Sequence, residues 1–140
     1  MKSIIGLKPV QKPHPPIYMA AYTPTALSRV ARESNGWFPV GIPLSAVKQM
    51  FEGIQEMAKS SGRDPKTLEL LIRGNVEFTT STPADGRPDF IGTSEQIAGD
   101  IAAAKKLGAN ELVLDVQFSP DIETNADLMR RMEELYKLAS

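Results

Sequence analysis

The chain has no cysteine and a single histidine, His14, in 140 residues. The first absence excludes disulfides, thiolate nucleophiles, zinc ribbons and iron–sulfur ligation. The second excludes a two-histidine zinc helix, and any serine triad within the chain would have to be built on that one imidazole. Surplus charge is missing too: sixteen Lys+Arg stand against seventeen Asp+Glu, a formal charge of -1. With no basic excess to neutralise phosphates, neither nucleic acid nor an anionic membrane is expected as a partner. Apolar runs stop at about five residues, against the ~20 that span a bilayer. The opening Met1-Lys2-Ser3-Ile4-Ile5-Gly6 has neither an apolar h-region nor a small-residue cleavage site. What is there, 41% hydrophobic and 24% charged residues, excludes wholesale disorder and supplies one core. The expectation is a single cytoplasmic domain over 1–140 with no metal site.

Four of the eleven prolines fall within Lys8–Pro16. They fix φ and bar a helix, so residues 1–16 read as an extended lead-in. Ile17–Ala21 follows as a short strand. Thr23-Pro24 is a helix start, a hydroxyl cap with proline at the first helical position, and Asn35-Gly36 ends that helix. Trp37–Val40 reads as a second strand, and Gly41-Ile42-Pro43 turns the chain. Val47, Met50, Phe51, Ile54, Met57 and Ala58 then recur at helical spacing until Gly62. Leu68–Phe78 reads as a third strand, followed by turns in Pro83-Ala84-Asp85-Gly86-Arg87-Pro88. Thr93-Ser94-Glu95-Gln96 is a capping box opening a third helix that stops at Gly108. Glu111–Phe118 is a fourth strand. A fourth helix runs over Asn125–Leu138, with Leu128, Met132 and Leu135 inward.

The order β-α-β-α-β-α-β-α with crossover-length connections implies an α/β fold of parallel strands. The third strand alternates: Leu68, Leu70, Ile72, Val76 and Phe78 oppose Glu69, Leu71, Arg73, Asn75 and Glu77. In the fourth, Leu112, Leu114, Val116 and Phe118 oppose Val113, Asp115 and Gln117. A doubly wound sheet buries both faces of its central strands. Here one face suits a layer of helices, and the other suits either a polar ligand-facing interior or an edge half in water. The barrel reading leaves a deficit, because four strands do not close a (β/α)₈ barrel.

The turn Ala20-Ala21-Tyr22-Thr23-Pro24-Thr25 offers small residues, two hydroxyls and free helix N–H groups, which suits a phosphate or simply caps a helix. Val40 and Gly41 close the next strand at the same end of the sheet, where ligands of parallel α/β structures collect. Arg73 and Asp115 lie on the polar faces of neighbouring strands and are expected to pair. His14 among prolines reads as a solvent-facing loop residue, and Arg130–Glu134 as a solvated helix face. No Walker loop, dinucleotide fingerprint or nucleophile elbow is present.

Three segments carry a resemblance: Lys8-Pro9-Val10-Gln11-Lys12-Pro13-His14-Pro15-Pro16-Ile17-Tyr18-Met19-Ala20-Ala21, Ala31-Arg32-Glu33-Ser34-Asn35-Gly36-Trp37-Phe38-Pro39 and Ile91-Gly92-Thr93-Ser94-Glu95-Gln96-Ile97. In order and spacing they resemble the luciferase-like monooxygenase family. That family includes bacterial luciferase-like flavin monooxygenases and the deazaflavin (coenzyme F-420) reductases, among them methylenetetrahydromethanopterin reductases. The resemblance covers nearly the whole chain and implies strands and helices five to eight of the barrel, its C-terminal half. It implies an oxidoreductase or monooxygenase function with FMN or coenzyme F-420 as cofactor. Such a half-barrel leaves two open edges, Ile17–Ala21 and Glu111–Phe118, so completion by oligomerisation, as a homodimer or higher oligomer, is expected. It puts cofactor contacts on Ala21, Tyr22, Thr23, Thr25, Val40 and Gly41. Much of the family's substrate pocket, and often a catalytic histidine, belongs to the N-terminal half, so no catalytic residue is assigned. A non-catalytic remnant or fragment with a structural or cofactor-binding role, and a small independent α/β ligand-binding protein, stay open as alternatives.

Overall fold

A computed structural model describes residues 6, 8–81 and 86–140. Pro83, Ala84 and Asp85 of the expected turn lie outside the described residues, as does most of the stretch before Lys8. From Lys8 to Ile17 there is no helix or strand, and the chain bends at Val10–Pro13 rather than running straight.

Four short parallel strands form the sheet in the order β1 (Tyr18–Met19), β2 (Gly36–Trp37), β3 (Glu69–Asn75) and β6 (Glu111–Asp115). Between them run α1 (Pro24–Glu33), α2 (Leu44–Ser60) and α3 (Ser94–Lys106), and α4 (Asn125–Ala139) closes the chain. Three of the helices, α1, α3 and α4, start where a threonine cap dictates. Thr23 Oγ1 accepts from Ala26 N ahead of α1, and Thr93 and Thr124 form capping boxes with Gln96 and Asp127 ahead of α3 and α4. α2 begins without a side-chain cap of its own at Pro43. Its first N–H, on Leu44, is taken by Asp89 Oδ2 at 2.6 Å, from 45 residues further along.

All four helices pack on one face of the sheet. Val30 and Ala31 of α1, Val47, Ile54 and Ala58 of α2, Ile97 and Ala104 of α3, and Leu135 of α4 share one cluster with Trp37, Leu70 and Ile72. The opposite face follows from the register, in which Leu71 lies beside Glu111, Arg73 beside Val113 and Asn75 beside Asp115. It carries Glu69, Leu71, Arg73 and Asp115, and of these Leu71 is buried although it lies outside the helix-side cluster. Near its lower edge the Tyr18 hydroxyl donates to Glu69 Oε2 across Gly36, with which both are in register. Gly36 is required there: a Cβ would lie 2.2 Å from the Glu69 carbonyl oxygen. The Glu69 carboxylate holds the Tyr18 phenol above its ordinary pKa. A parallel sheet with helices on one side only is the (β/α)₄ half of a barrel wall.

The sequence reading needs three corrections. The third strand is not continuous to Phe78. The Val76 N–H turns to the Asp115 carbonyl at 2.7 Å, and the chain then leaves the sheet. A two-residue strand β4 (Glu77–Phe78) pairs in parallel with β5 (Ile91–Gly92). This small second sheet sits between β3 and α3, so the simple alternation of strand and helix is interrupted there. The fourth strand stops at Asp115, because Asp115 Oδ1 accepts from Gln117 N at 2.8 Å and starts a turn. Phe118 is consequently 68% exposed instead of facing the helices. On α4, Met132 is 52% exposed while Leu135 is buried, since only one side of that helix has a neighbour among the described residues.

Candidate functional site

The C-terminal ends of the strands bring the turn after β1, the turn after β2 and the polar ends of β3 and β6 side by side. Tyr22, at the β1 turn, places its hydroxyl 3.2 Å from both the carbonyl and the N–H of Val40, accepting from one and donating to the other. Val40 bridges to Arg73, whose N–H donates to the Pro39 carbonyl. The Arg73 guanidinium in turn donates to Asp115 Oδ2, with their side chains 30% and 19% exposed. Tyr22, Val40, Arg73 and Asp115 thus form one connected string across all four strand ends. Thr23 and Thr25 stand exposed on the first turn of α1, and Gly41 holds φ +69 with open space where a Cβ would be. Ala21 is not on this surface: it is buried, and its carbonyl accepts from Trp37 Nε1 at 2.9 Å.

The four helix N-termini differ in what occupies them. Asp89 caps α2, Glu95 and the Thr93–Gln96 box occupy the first turn of α3, and the Thr124–Asp127 box occupies that of α4. The first turn of α1 has no acidic residue, and its cap is the weak Thr23–Ala26 contact at 3.3 Å. Among the described residues, α1 alone of the four presents unneutralised N–H groups to an incoming anion.

Sequence reasoning missed two clusters. The first is the segment 87–91 beside the ends of β2 and β3. Arg87 donates from Nη1 and Nη2 to Asp100 at 2.6 and 2.8 Å, and Asp100 also accepts from Phe90 N at 2.7 Å. The Asp100 carboxylate holds the Arg87 guanidinium above its ordinary pKa, against the cost of burial. Phe90 is held at φ +67 with its ring over Gly74, where a Cβ would come within 2.7 Å of it. Together with Pro39, Ile42 and Arg73 this segment lines a cavity of about 380 Å³, within the size range of small-ligand sites. No local pattern flags it, because the Arg87–Asp100 pair joins a loop to a helix.

The second cluster corrects the reading of Arg130–Glu134 as a solvated face. The Arg131 side chain is only 16% exposed. It donates to Asp121 and Glu134 and lies 4.1 Å over the Phe78 ring. Hydrogen bonds from Ser119 and Arg131 hold the Asp121 carboxyl below its ordinary range despite burial. At Glu134 burial pushes upward, but bonds from Ser94 and Arg131 outweigh it and the net shift is down. Depressed folded-state values stabilise the protein above the ordinary carboxylate pKa, and that contribution is lost as pH falls through the folded values. Acid unfolding followed by circular dichroism is therefore expected below about pH 4, with Asp121→Asn flattening the slope there. A transition beginning above about pH 6 would contradict these assignments.

Among the described residues there is no cluster of metal-binding side chains, and no helix is long and apolar enough to cross a membrane. The family model of luciferase-like monooxygenases matches residues 5–87. No curated protein matches the chain by sequence. Solved structures similar to it include long-chain alkane monooxygenase LadA, at 14% identity and a TM-score of 0.60, covering 89% of this chain and 41% of that one. Riboflavin lyase RcaE, with modified FMN and substrate riboflavin, matches at 13% identity and a TM-score of 0.62, over 89% and 42%. The coenzyme F-420 dependent tetrahydromethanopterin reductase from Methanopyrus kandleri matches at 16% and 0.57, over 76% and 46%. The chain thus spans less than half the length of each of these three.

Proposed function

The chain belongs to the luciferase-like monooxygenase family, and from that premise we propose that it is the cofactor-phosphate-binding half of a flavin- or deazaflavin-dependent oxidoreductase barrel, working in the cytoplasm. The observation that carries the reading is the carboxylate-free first turn of α1 at the C-terminal end of the sheet. Its residues fit a phosphate. Thr23 and Thr25 bring hydroxyls, Tyr22, Thr23 and Thr25 bring backbone N–H groups, and Gly41 leaves room on the neighbouring turn. When bound, FMN or coenzyme F-420 supplies the redox chemistry from its ring. This chain's part is to anchor and orient the phosphate end.

No lysine or arginine lies in the turn, and the helix dipole contributes only about 0.3–1 kcal/mol at an exposed site. Charge-assisted hydrogen bonds, at roughly 1.5–3 kcal/mol each, carry most of the affinity, and two or three of them correspond to about millimolar binding. Titration with FMN and with inorganic phosphate is expected to show Thr23→Val, Thr25→Val weakened by about tenfold or more. Thr25→Val alone is the cleaner test, because Thr23 also caps α1 and its loss costs about 0.5–2 kcal/mol of stability. Equal affinity in parent and variants would leave the turn a plain helix start.

We further propose that two copies close the barrel. Of the seven exposed large hydrophobics among the described residues, Ile17 and Tyr22 flank β1, while Phe118, Met129, Met132 and Tyr136 lie just after β6 or on α4. Only Val10 is elsewhere. The apolar surface thus gathers at the two ends of the sheet, where β1 and β6 each have an edge unpaired among the described residues. Pairing β1 of one copy with β6 of the other keeps every strand parallel and removes both edges. Light scattering at micromolar concentration is expected to give twice the 15.3 kDa chain mass, and Met132→Glu, Tyr136→Glu to give the single mass. A parent at 15.3 kDa would overturn the closure.

A further inference from the structure

We infer that two copies join in one register, Leu112, Val113, Leu114 and Asp115 beside the partner's Ile17, Tyr18, Met19 and Ala20, so that each strand-end site is completed by the other copy. This register rests on the closure proposed above and deepens it, since pairing two edges does not by itself say which residues meet. Within the sheet Tyr18 is level with Gly36, Gly36 with Glu69, and Leu71 with Glu111. Carried two residues back from Leu71 and Glu111, the line through Tyr18 reaches the β6 side at Ala109. An eight-stranded barrel of this architecture does not close level: a line followed once around returns shifted by a shear of about eight residues. A two-fold axis gives each copy half of that shift. Ala109 then meets a residue about four positions from the partner's Tyr18, which is either the partner's His14 or the partner's Tyr22.

Local chemistry selects the sense and the size of the shift. Toward the partner's Tyr22, Leu112 would lie beside the partner's Thr25, which is already in α1. Toward the partner's His14, β6 runs along the partner's β1. A half-shift of five would set the helix-side Leu112 and Leu114 against the partner's Pro16 and Tyr18, which face the other way. One of six would bring the partner's Pro15 and Pro16 into the ladder, and proline has no N–H to give there. Four keeps both faces. Leu112 and Leu114 meet the partner's Ile17 and Met19 on the helix side, and Val113 and Asp115 meet the partner's Tyr18 and Ala20 on the other. These side chains are those of a sheet interior left half covered: Ile17 is 50% exposed, and Tyr18, Met19, Leu112, Val113 and Leu114 are half-buried. Asp115, the charged one among the eight positions, meets an alanine, so no like charges oppose each other. Met129, Met132 and Tyr136 form an exposed stripe at i, i+3 and i+7 on α4. In the helix ring of a barrel α4 lies over this seam, where that stripe covers the partner's Ile17. At the strand ends Asp115 closes the string that starts at Tyr22, and the partner's Ala20 beside it lies two residues before the partner's Tyr22, where the next string starts.

A chain without cysteine gives a direct test. Ile17→Cys with Leu112→Cys in one chain is treated with dibromobimane, a thiol–thiol linker whose reach is about one strand spacing. Within a single copy the two positions are three strand spacings apart, about 14 Å, so a link between them joins two copies. The expected result is a covalent species of twice the chain mass on a denaturing gel. Ile17→Cys with Leu114→Cys, the pair that a half-shift of six would bring together, is expected to link about tenfold less. The unsubstituted chain answers the same question without a mutation. In a dimer of one isotope-labelled and one unlabelled copy, filtered NOEs are expected between the Val113 methyls and the ring of the partner's Tyr18. Stronger linking through Leu114→Cys than through Leu112→Cys, or a ring of the partner's Tyr18 that contacts Asp115 instead of Val113, would overturn the register and leave the closure standing. A particle of twice the mass with neither link nor NOE would overturn the register and show that the copies meet elsewhere. A parent of 15.3 kDa by light scattering would overturn closure and register together.

Discussion

Replacing Asp100 with alanine is expected to lower stability by about 3–5 kcal/mol, the cost of stranding one member of a buried ion pair. The Asp100 side chain is 9% exposed, and its carboxylate accepts both Nη donors of Arg87 and the N–H of Phe90. Without it, the partners left to Arg87 among the described residues are the Pro88 and Ile91 carbonyls at 3.3 and 3.1 Å. Phe90 would lose the bond that holds its backbone at φ +67. A chain of this size has a total stability of about 5–15 kcal/mol, so a substantial part of the molecule would unfold under mild denaturant. Trp37 is the only tryptophan and is fully buried, which makes its fluorescence a direct readout in a urea titration. The double replacement Arg87→Met, Asp100→Leu is expected to cost much less than Asp100→Ala, because no charge is left unpaired. Equal losses in single and double variants would mean that the pair contributes nothing beyond packing.

That pair marks the boundary of what the sequence could disclose. The helices announce themselves through local chemistry: Thr23-Pro24, the Thr93–Gln96 box and the spacing of Val47, Ile54 and Ala58 each act within a few residues along the chain. The one-sided sheet is legible for the same reason, since alternation along Glu69–Asn75 and Glu111–Asp115 separates a helix-facing row from a polar row. Arg73 and Asp115 could be matched because parallel strands of similar phase bring their polar rows together. Nothing local distinguishes Asp100 from any other charge on a helix. Its role appears only when the segment 87–91 folds back over Gly74. Arg131 hides in a charge run for the same reason, and is drawn inside by Phe78, a residue of β4 that the sequence reads as continuous with β3. The candidate site divides along the same line. Its turns are local and were visible, whereas the wall of its cavity is made by contacts between distant segments.

Trp37 joins the two kinds of information, and its replacement should register in both fold and site. Trp37 lies in β2 between Met19 and Leu70, fully buried, with Nε1 bonded to the Ala21 carbonyl at 2.9 Å. Trp37→Ala removes the largest side chain of the core and is expected to cost about 3–5 kcal/mol. Trp37→Phe keeps most of the apolar volume but leaves the buried Ala21 carbonyl without that donor, at about 1–3 kcal/mol. In a domain of this size that is a fall of several degrees in Tm, measured by circular dichroism. The carbonyl in question belongs to the peptide unit whose N–H is that of Tyr22. Tilting it moves the first N–H group of the proposed phosphate turn and, through Tyr22, the hydroxyl contact with Val40. Trp37→Phe is therefore expected to weaken inorganic phosphate binding several-fold at temperatures where the variant is fully folded. Trp37→Phe with full phosphate affinity but reduced Tm would make Trp37 a core residue alone, and would show that the turn is held by Thr23 and the start of α1 without help from β2.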